Sequence, residues 1–371
     1  MPEKRGMADM STRVTIKDIA KRAGVSAITV SKALNNHPQV SAGKRQEILE
    51  IAKEMCYIPN SSAKSLIRKE KVIAAVFPQE PKEFYSFISN GIRRAEEELI
   101  DFKCKVRYYA FPSLESTEEV KQCLRSALDD GMDGLILTSN HAYSVYREEL
   151  ELILKKRIPV LYNTICGEML PGVVGAVRLN ADLAGAIAAD FHGLFLRNDL
   201  IGTRKTAIFV GNKDVNTHSD CVAGYMRTAG YYGLDVVGVY ETKEDKHLSY
   251  ELMDQLMHEH PDVKGIYISS YNSIGVCNWL REHEMENRII AVGHDLYPAL
   301  AEQLDAGVLK ATLFQNQFEF GRESLHRMFE YIIGERQAEN CGKLMIPSLL
   351  TRGMIPFFPH YLSQNSGQNG E

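Results

Sequence analysis

The chain has 371 residues, 44% hydrophobic and 25% charged, with a net charge of −5. That length calls for two or three domains, and the composition is that of a globular protein with a substantial core. No run of about 18 apolar residues occurs and the start, MPEKRGMADMSTR, has no apolar signal core, so neither a membrane span nor export is expected.

The charge is unevenly spread. Residues 1–70 hold thirteen Lys/Arg against seven Asp/Glu, and the remainder holds thirty against forty-one. A basic head on an acidic body concentrates phosphate affinity at one end. The seven cysteines (56, 104, 123, 166, 221, 277 and 341) form no CxxC and no His/Cys pair at zinc spacing. They read as reduced thiols of a cytoplasmic protein, with no metal site.

In chain order, residues 1–12 read as a disordered extension, with Lys4, Arg5 and Arg13 near it as solvated charges. Val14–Asn35, VTIKDIAKRAGVSAITVSKALN, reads as two short helices around a Gly-centred turn. Ile16, Ile19 and Ala20 fall at helical spacing, and Ser26 stands as an N-cap ahead of Val30, Ala33 and Leu34. Such a helix-turn-helix sets its second helix into the major groove of DNA. Ser41 caps a third helix striped by Ile48, Ile51, Ala52 and Met55, which Pro59 ends, so the head spans 13–59. Residues 60–70 are a linker too short for a stable isolated helix.

From Lys71 the pattern alternates. Strand-like runs at Val72–Phe77, Val106–Ala110, Gly134–Thr138 and Pro159–Asn163 are separated by helical stretches, one of them striped by Phe84, Ile88, Ile92, Ala95 and Leu99. The rhythm restarts at Thr206–Val210, Val236–Tyr240, Gly265–Ser269, Ile289–Gly293 and Leu309–Phe314. This predicts two doubly wound parallel-sheet lobes over 71–355, a common frame for a ligand cleft. The first lobe is expected at about 71–178 and 305–334, the second at about 179–304 and 335–355. A Ser/Gln/Asn/Gly-rich disordered tail is expected over 356–371.

VTIKDIAKRAGVSAITVSKALN, then YIPNSSAKSL, then VGHDLYPA (292–299) and ATLFQNQFEFG (311–321), resemble the lactose/galactose repressor (LacI) family of bacterial transcription regulators. The resemblance covers roughly 13–355, and the body looks like a periplasmic-binding-protein fold of the ribose type. It implies a homodimeric cytoplasmic repressor that binds double-stranded operator DNA under the control of a small-molecule effector, a sugar or sugar derivative.

The resemblance assigns DNA contacts to Thr15, Lys17, Ser26, Ala27, Ile28, Thr29, Ser31, Lys32 and Asn35. Ala27 and Ile28 replace a commonly polar pair, so apolar contact with thymine methyl groups is expected there. Asn60, Ala63, Lys64 and Leu66 map onto a hinge helix whose leucine wedges into the minor groove. Lys21, Arg22, Lys44 and Arg45 are candidate phosphate contacts.

Ligand contacts carry over to Phe84, Tyr85, Asn163, Asp295 and Gln315, and more weakly to Tyr271 and Asn272, with Ser270 beside them. Cys221, in CVAGY, stands where the family pattern has an arginine. No GxGxxG at a strand–helix turn, Walker loop, GxSxG or HExxH is present, so no enzyme and no cofactor are expected. His218, Asp220 and Cys221 share one segment but read as polar surface rather than a metal site. A solute-binding protein without a role in transcription explains 71–355 equally well but leaves the basic head unexplained.

Overall fold

The computed structural model describes residues 16–34, 39–55, 69–113, 115–139, 143–164, 170–196, 203–213, 215–270 and 273–358. The chain forms two compact units, one of residues 1–70 with 101–103 and one of the rest.

Among its described residues the head forms three helices, α1 (Ile16–Ala23), α2 (Ala27–Leu34) and α3 (Ala42–Glu54). Gly24 adopts φ +63 after α1, and the Val25 amide returns to the Ala20 carbonyl at 3.1 Å. A left-handed residue at this point favours glycine. Ser26 Oγ accepts from the Thr29 amide at 3.1 Å, so it caps α2 as expected. Ile19, Val30, Ala33 and Ile48 interlock in the core, with Ile51 and Met55 packed around them. The linker over 60–68 lies outside the described residues.

The second unit alternates strand and helix. Its first lobe begins with β1 (Lys71–Pro78), α4 (Lys82–Glu98), β2 (Cys104–Phe111), α5 (Thr117–Asp129), β3 (Gly134–Thr138), α6 (Arg147–Lys155), β4 (Val160–Asn163) and β5 (Val173–Leu179). After α7 (Ala181–Phe195) come β6 (Lys205–Val210), α8 (Asn216–Tyr232), β7 (Asp235–Glu241), α9 (Lys246–Glu259) and β8 (Gly265–Ser269). Then follow α10 (Ile274–Glu282), β9 (Ile290–His294), α11 (Pro298–Asp305), β10 (Leu309–Phe314), α12 (Gln317–Ile332), β11 (Lys343–Met345) and β12 (Ser348–Leu350).

Two six-stranded sheets result, ordered β11-β5-β4-β3-β1-β2 and β12-β10-β9-β8-β6-β7. All pairings are parallel except β10 with β12. Helices cover both faces, which is why β3 and β8 are buried along their whole length and read as unbroken apolar runs.

The lobe boundaries differ from those expected. β10 pairs with β9 and so belongs to the second lobe, whereas β11 pairs with β5 in the first. The chain therefore crosses near 179–181, 314–317 and 345–348, not at 305 and 335. The expected disordered tail also begins too early: Arg352–Phe357 form a 3-10 turn and Phe358 packs edge-on against Phe314 at 5.1 Å.

Each crossover helix is seated on the lobe it enters by paired glycines. A Cβ on Gly185 of α7 would lie 1.8 Å from the Cys221 carbonyl oxygen, and one on Gly224 of α8 1.9 Å from that of Asp182. The α4–α12 crossing repeats this with Gly91 and Gly321, each 1.9 Å from a backbone oxygen of the facing helix.

Candidate functional site

Two surfaces carry the residues that the sequence singles out. On the head, α2 turns Val30 and Ala33 inward, fully or almost fully buried, and leaves Ile28 68% exposed. Exposure of a large apolar side chain on the leading turn of this helix means that Ile28 contributes little to the fold and is free to meet a partner. Ala27 and Lys32 are half-buried, and Lys32 Nζ donates to Gln39 Oε1 at 2.7 Å. The Thr29 hydroxyl lies 2.8 Å from that of Ser26. Lys17 falls on α1 and Ser31 on α2. Thr15, Asn35, Asn60, Ala63, Lys64 and Leu66 lie outside the described residues.

The basic residues divide. Lys21 is exposed, and Arg22 pairs with Glu54 at 2.7 Å on the surface. Lys44 Nζ donates to the Ala23 carbonyl at 3.2 Å and Arg45 to the Val40 carbonyl at 3.1 Å. These last two close off backbone carbonyls within the head, a structural task that their sequence position does not reveal.

On the body, the strand ends of the two sheets face each other across a cleft of about 460 Å³. Strand C-terminal ends are the usual ligand sites of open α/β sheets. Phe84, Tyr85, Asp295 and Gln315 line it. Phe84 and Tyr85 meet edge-on at 5.0 Å on the first turn of α4. Burial and then the charge of Glu244 push the Tyr85 phenol above its usual range, so Tyr85 feels the opposite wall of the cleft.

Asp295 follows β9 at φ +68 and is 4% exposed. Its carboxylate accepts from the side-chain amides of Gln315, at 3.2 Å, and Gln317. Its own carbonyl accepts from Thr312 Oγ1 at 2.7 Å, and its amide donates to the Leu313 carbonyl. Burial pushes its pKa up to about 7, the two amides oppose this, and the Glu244 charge adds to it. The neighbouring His294 turns instead to the Tyr267 hydroxyl at 2.7 Å, and burial holds its pKa down near 3.

Sequence reasoning missed Glu244, Arg178 and Thr164 and read His218 as polar surface, yet all four line the cleft. Glu244 follows β7 through two successive left-handed residues, Lys243 (φ +51) and Glu244 (φ +55). Its side chain lies over Gly211, where a Cβ would come 1.8 Å from Oε1, and it accepts from Ser270 Oγ at 2.8 Å. His218 Nε2 stands 3.5 Å from the other oxygen. Thr164, at φ +65, completes a set of strained residues at strand ends. Such strain is held only where surrounding structure enforces it, often at functional sites.

Two expected contacts do not line the cleft. Asn163 is fully buried at the end of β4, and neither of its amide atoms has a hydrogen-bond partner among the described residues. The hydroxyls of Thr138, its register partner on β3, and of Thr164 share that condition. Cys221 is fully buried because the Gly185–Gly224 crossing presses α8 into the lobe. Beneath the cleft floor, burial pushes its thiol up to about 11. Tyr271 and Asn272 lie outside the described residues.

Below that floor runs a buried polar chain. His192 Nε2 donates to the Ile290 carbonyl at 2.9 Å, so Nδ1 accepts from the Tyr225 hydroxyl at 2.6 Å. Tyr225 stacks on Tyr267 with rings 6° from parallel, and Tyr267 reaches His294. Among the described residues no cluster of His, Cys, Asp and Glu could hold a metal, and no helix is long and apolar enough to cross a membrane.

The family model described as "Bacterial regulatory proteins, lacI family" matches residues 15–60, and "Periplasmic binding protein domain" matches 73–336. The HTH-type transcriptional regulator MalR of Streptococcus pneumoniae is 25% identical over 335 residues, 86% of this chain and 93% of the relative. Catabolite control protein A of Priestia megaterium is 24% identical over 294 residues, 76% and 80% of the two chains. Among solved structures, GanP, a glucose-galactose binding protein from Geobacillus stearothermophilus, aligns with a TM-score of 0.66 at 22% identity, over 78% of this chain and all of that one. AraP, an arabinose binding protein from the same organism, gives 0.67 at 17%, over 78% and 99%. With its helix-turn-helix head and two-lobed α/β body, the chain belongs to the lacI family of bacterial transcriptional regulators, its body a periplasmic binding protein domain.

Proposed function

We propose that this regulator is a cytoplasmic, homodimeric repressor whose operator affinity is set by a small polyhydroxylated effector in the cleft. The observation that carries the effector reading is the lining itself. An aromatic pair, four acids and the unpartnered hydroxyl of Thr164, in the turn after β4, converge on one space of ligand size. The solved relatives named for glucose, galactose and arabinose bind sugars on the same fold, which supports that ligand class.

Each head presents Ile28 and the capped end of α2 to a half-site. Two heads are needed, since one small module makes too few contacts for high affinity. The linker over 60–70, with Asn60, Ala63, Lys64 and Leu66, transmits the effector signal by folding on the minor groove. A coupling of about 1–3 kcal/mol gives a 5–150-fold change in operator affinity.

The test is a thermal-shift screen of the full-length protein against sugars, sugar phosphates and nucleosides, followed by operator titration with the ligand that stabilises most. Stabilisation by a sugar together with altered operator affinity is the expected result. Stabilisation without any change in operator affinity contradicts the coupling.

A further inference from the structure

We infer that the cleft takes a polyhydroxylated ligand that carries an ammonium group, an amino sugar in chemical class, seated between Asp295 and Glu244. This rests on the effector reading above and narrows it.

Asp295 is the starting point. A buried carboxylate normally sits against a cation or a metal, because desolvating the charge is costly otherwise. Asp295 is 4% exposed, yet its side-chain partners are the neutral amides of Gln315 and Gln317. Among the described residues no lysine or arginine lies within ion-pair distance of it. Its upward-shifted acidity reports the same surroundings: the nearby charge acting on it is another carboxylate, Glu244.

Acids outnumber bases in the wider lining, where His218 already stands 3.5 Å from Glu244. Glu80, Glu115 and Glu244 join Asp295, and Arg178 is the lining's arginine. Arg178 turns toward Asp220 at 3.7 Å, which takes up part of its charge. An acidic excess between low-dielectric walls focuses the field and draws in the opposite charge.

An independent observation shows that a ligand with hydroxyls is wanted on the other wall. Thr164 is 8% exposed and lines the cleft, and its hydroxyl has no partner among the described residues. Buried polar atoms in proteins are almost always satisfied, so this one points to a group supplied from outside. Phe84 and Tyr85 form the remaining wall, and an aromatic face tolerates both a sugar ring and a cation. A phosphorylated or carboxylated sugar would meet Glu244 and Asp295 with like charge. A neutral sugar offers Asp295 hydroxyl hydrogen bonds alone, whereas an ammonium group adds an ion pair that favours its charged form.

The experiment is calorimetric titration of the full-length protein at pH 7 with D-glucosamine, D-galactosamine and D-mannosamine. The neutral parent of each and D-glucose 6-phosphate are run alongside. At least one amine is expected to bind tenfold or more tightly than its neutral parent, with the phosphate weaker than both. Glu244→Gln, at a half-exposed loop residue, is expected to cut that preference at least fivefold with an unchanged melting temperature, and Asp295→Asn to abolish it. A neutral or phosphorylated sugar that binds as tightly as every amine, or a preference untouched by Glu244→Gln, overturns the inference while leaving a sugar effector in place. Binding by none of the three charge classes overturns both.

Discussion

Replacing Ile28 by alanine separates a DNA contact from a structural residue. The side chain is 68% exposed on the leading turn of α2, and its neighbours Val30 and Ala33 already fill the core of the head. The substitution removes three carbons, worth about 2.4 kcal/mol at about 0.8 kcal/mol per buried CH₂. Scaling by the exposed share leaves about 1.6 kcal/mol, or about 15-fold in affinity per head. A dimer with both heads altered loses about twice that free energy. The assay is fluorescence anisotropy of the full-length protein on an operator selected from random DNA, with an unrelated duplex as reference. Binding to the unrelated duplex depends on phosphates and should not change. The melting temperature should also hold, since an exposed substitution rarely moves stability by more than about 0.5 kcal/mol. Replacing the contacted thymine by uracil removes the methyl group, and on that operator Ile28→Ala should cost little more. Unchanged operator affinity, or an equal loss on both duplexes, refutes the assignment.

Other consequences follow from the body. The rise of Asp295 from 3.8 to about 7 makes its ionisation in the folded state cost on the order of 4 kcal/mol. Between those values the folded chain holds more protons than the unfolded one, so this group lowers stability progressively as pH rises from 3.8 to 7 and fully above 7. Asp295→Asn should therefore raise the melting temperature of the ligand-free protein at pH 8 more than at pH 5; an equal effect at both contradicts the assignment. Gly185→Ala sets a Cβ 1.8 Å from the Cys221 carbonyl oxygen and should destabilise by about 1–3 kcal/mol or more in urea melts. Gly230→Ala on α8 meets no atom within 4 Å and should be neutral or stabilising; similar costs at both sites would mean that the crossing is not close-packed. Tyr225→Phe leaves His192 Nδ1 buried without its donor and should cost about 1–3 kcal/mol in the same melts. A neutral result there would mean that water replaces the hydroxyl.

The legible part of the fold is that written in unbroken apolar runs. The nine strands expected from sequence all form, with ends shifted by two residues at most. β5 escapes notice because Gly175 interrupts it, and glycine in a strand reads as a weakness. Its reason is a close approach: a Cβ there would sit 2.5 Å from the Gly342 amide nitrogen. β11 and β12 are three residues each, too short to show any periodicity, and the misplaced lobe boundary follows from missing them.

The site divides in the same way. Asp295 and Gln315 are legible because they end strands inside recognisable motifs. Glu244 is not, because its aim depends on two consecutive left-handed residues after β7. Arg178 is hidden with β5. Cys221 shows the opposite failure: its place in the pattern is a ligand contact, but the glycine-paired crossing of α7 and α8 buries it below the cleft. Periodicity reports which face of an element is apolar, and not how closely two helices approach.

The most direct test of effector control is the operator affinity of the full-length protein, measured by anisotropy with and without a saturating amount of the most stabilising sugar. The account predicts a shift of at least fivefold in either direction, retained by Ile28→Ala and lost in Asp295→Asn. Equal operator affinity at ligand saturation would contradict it.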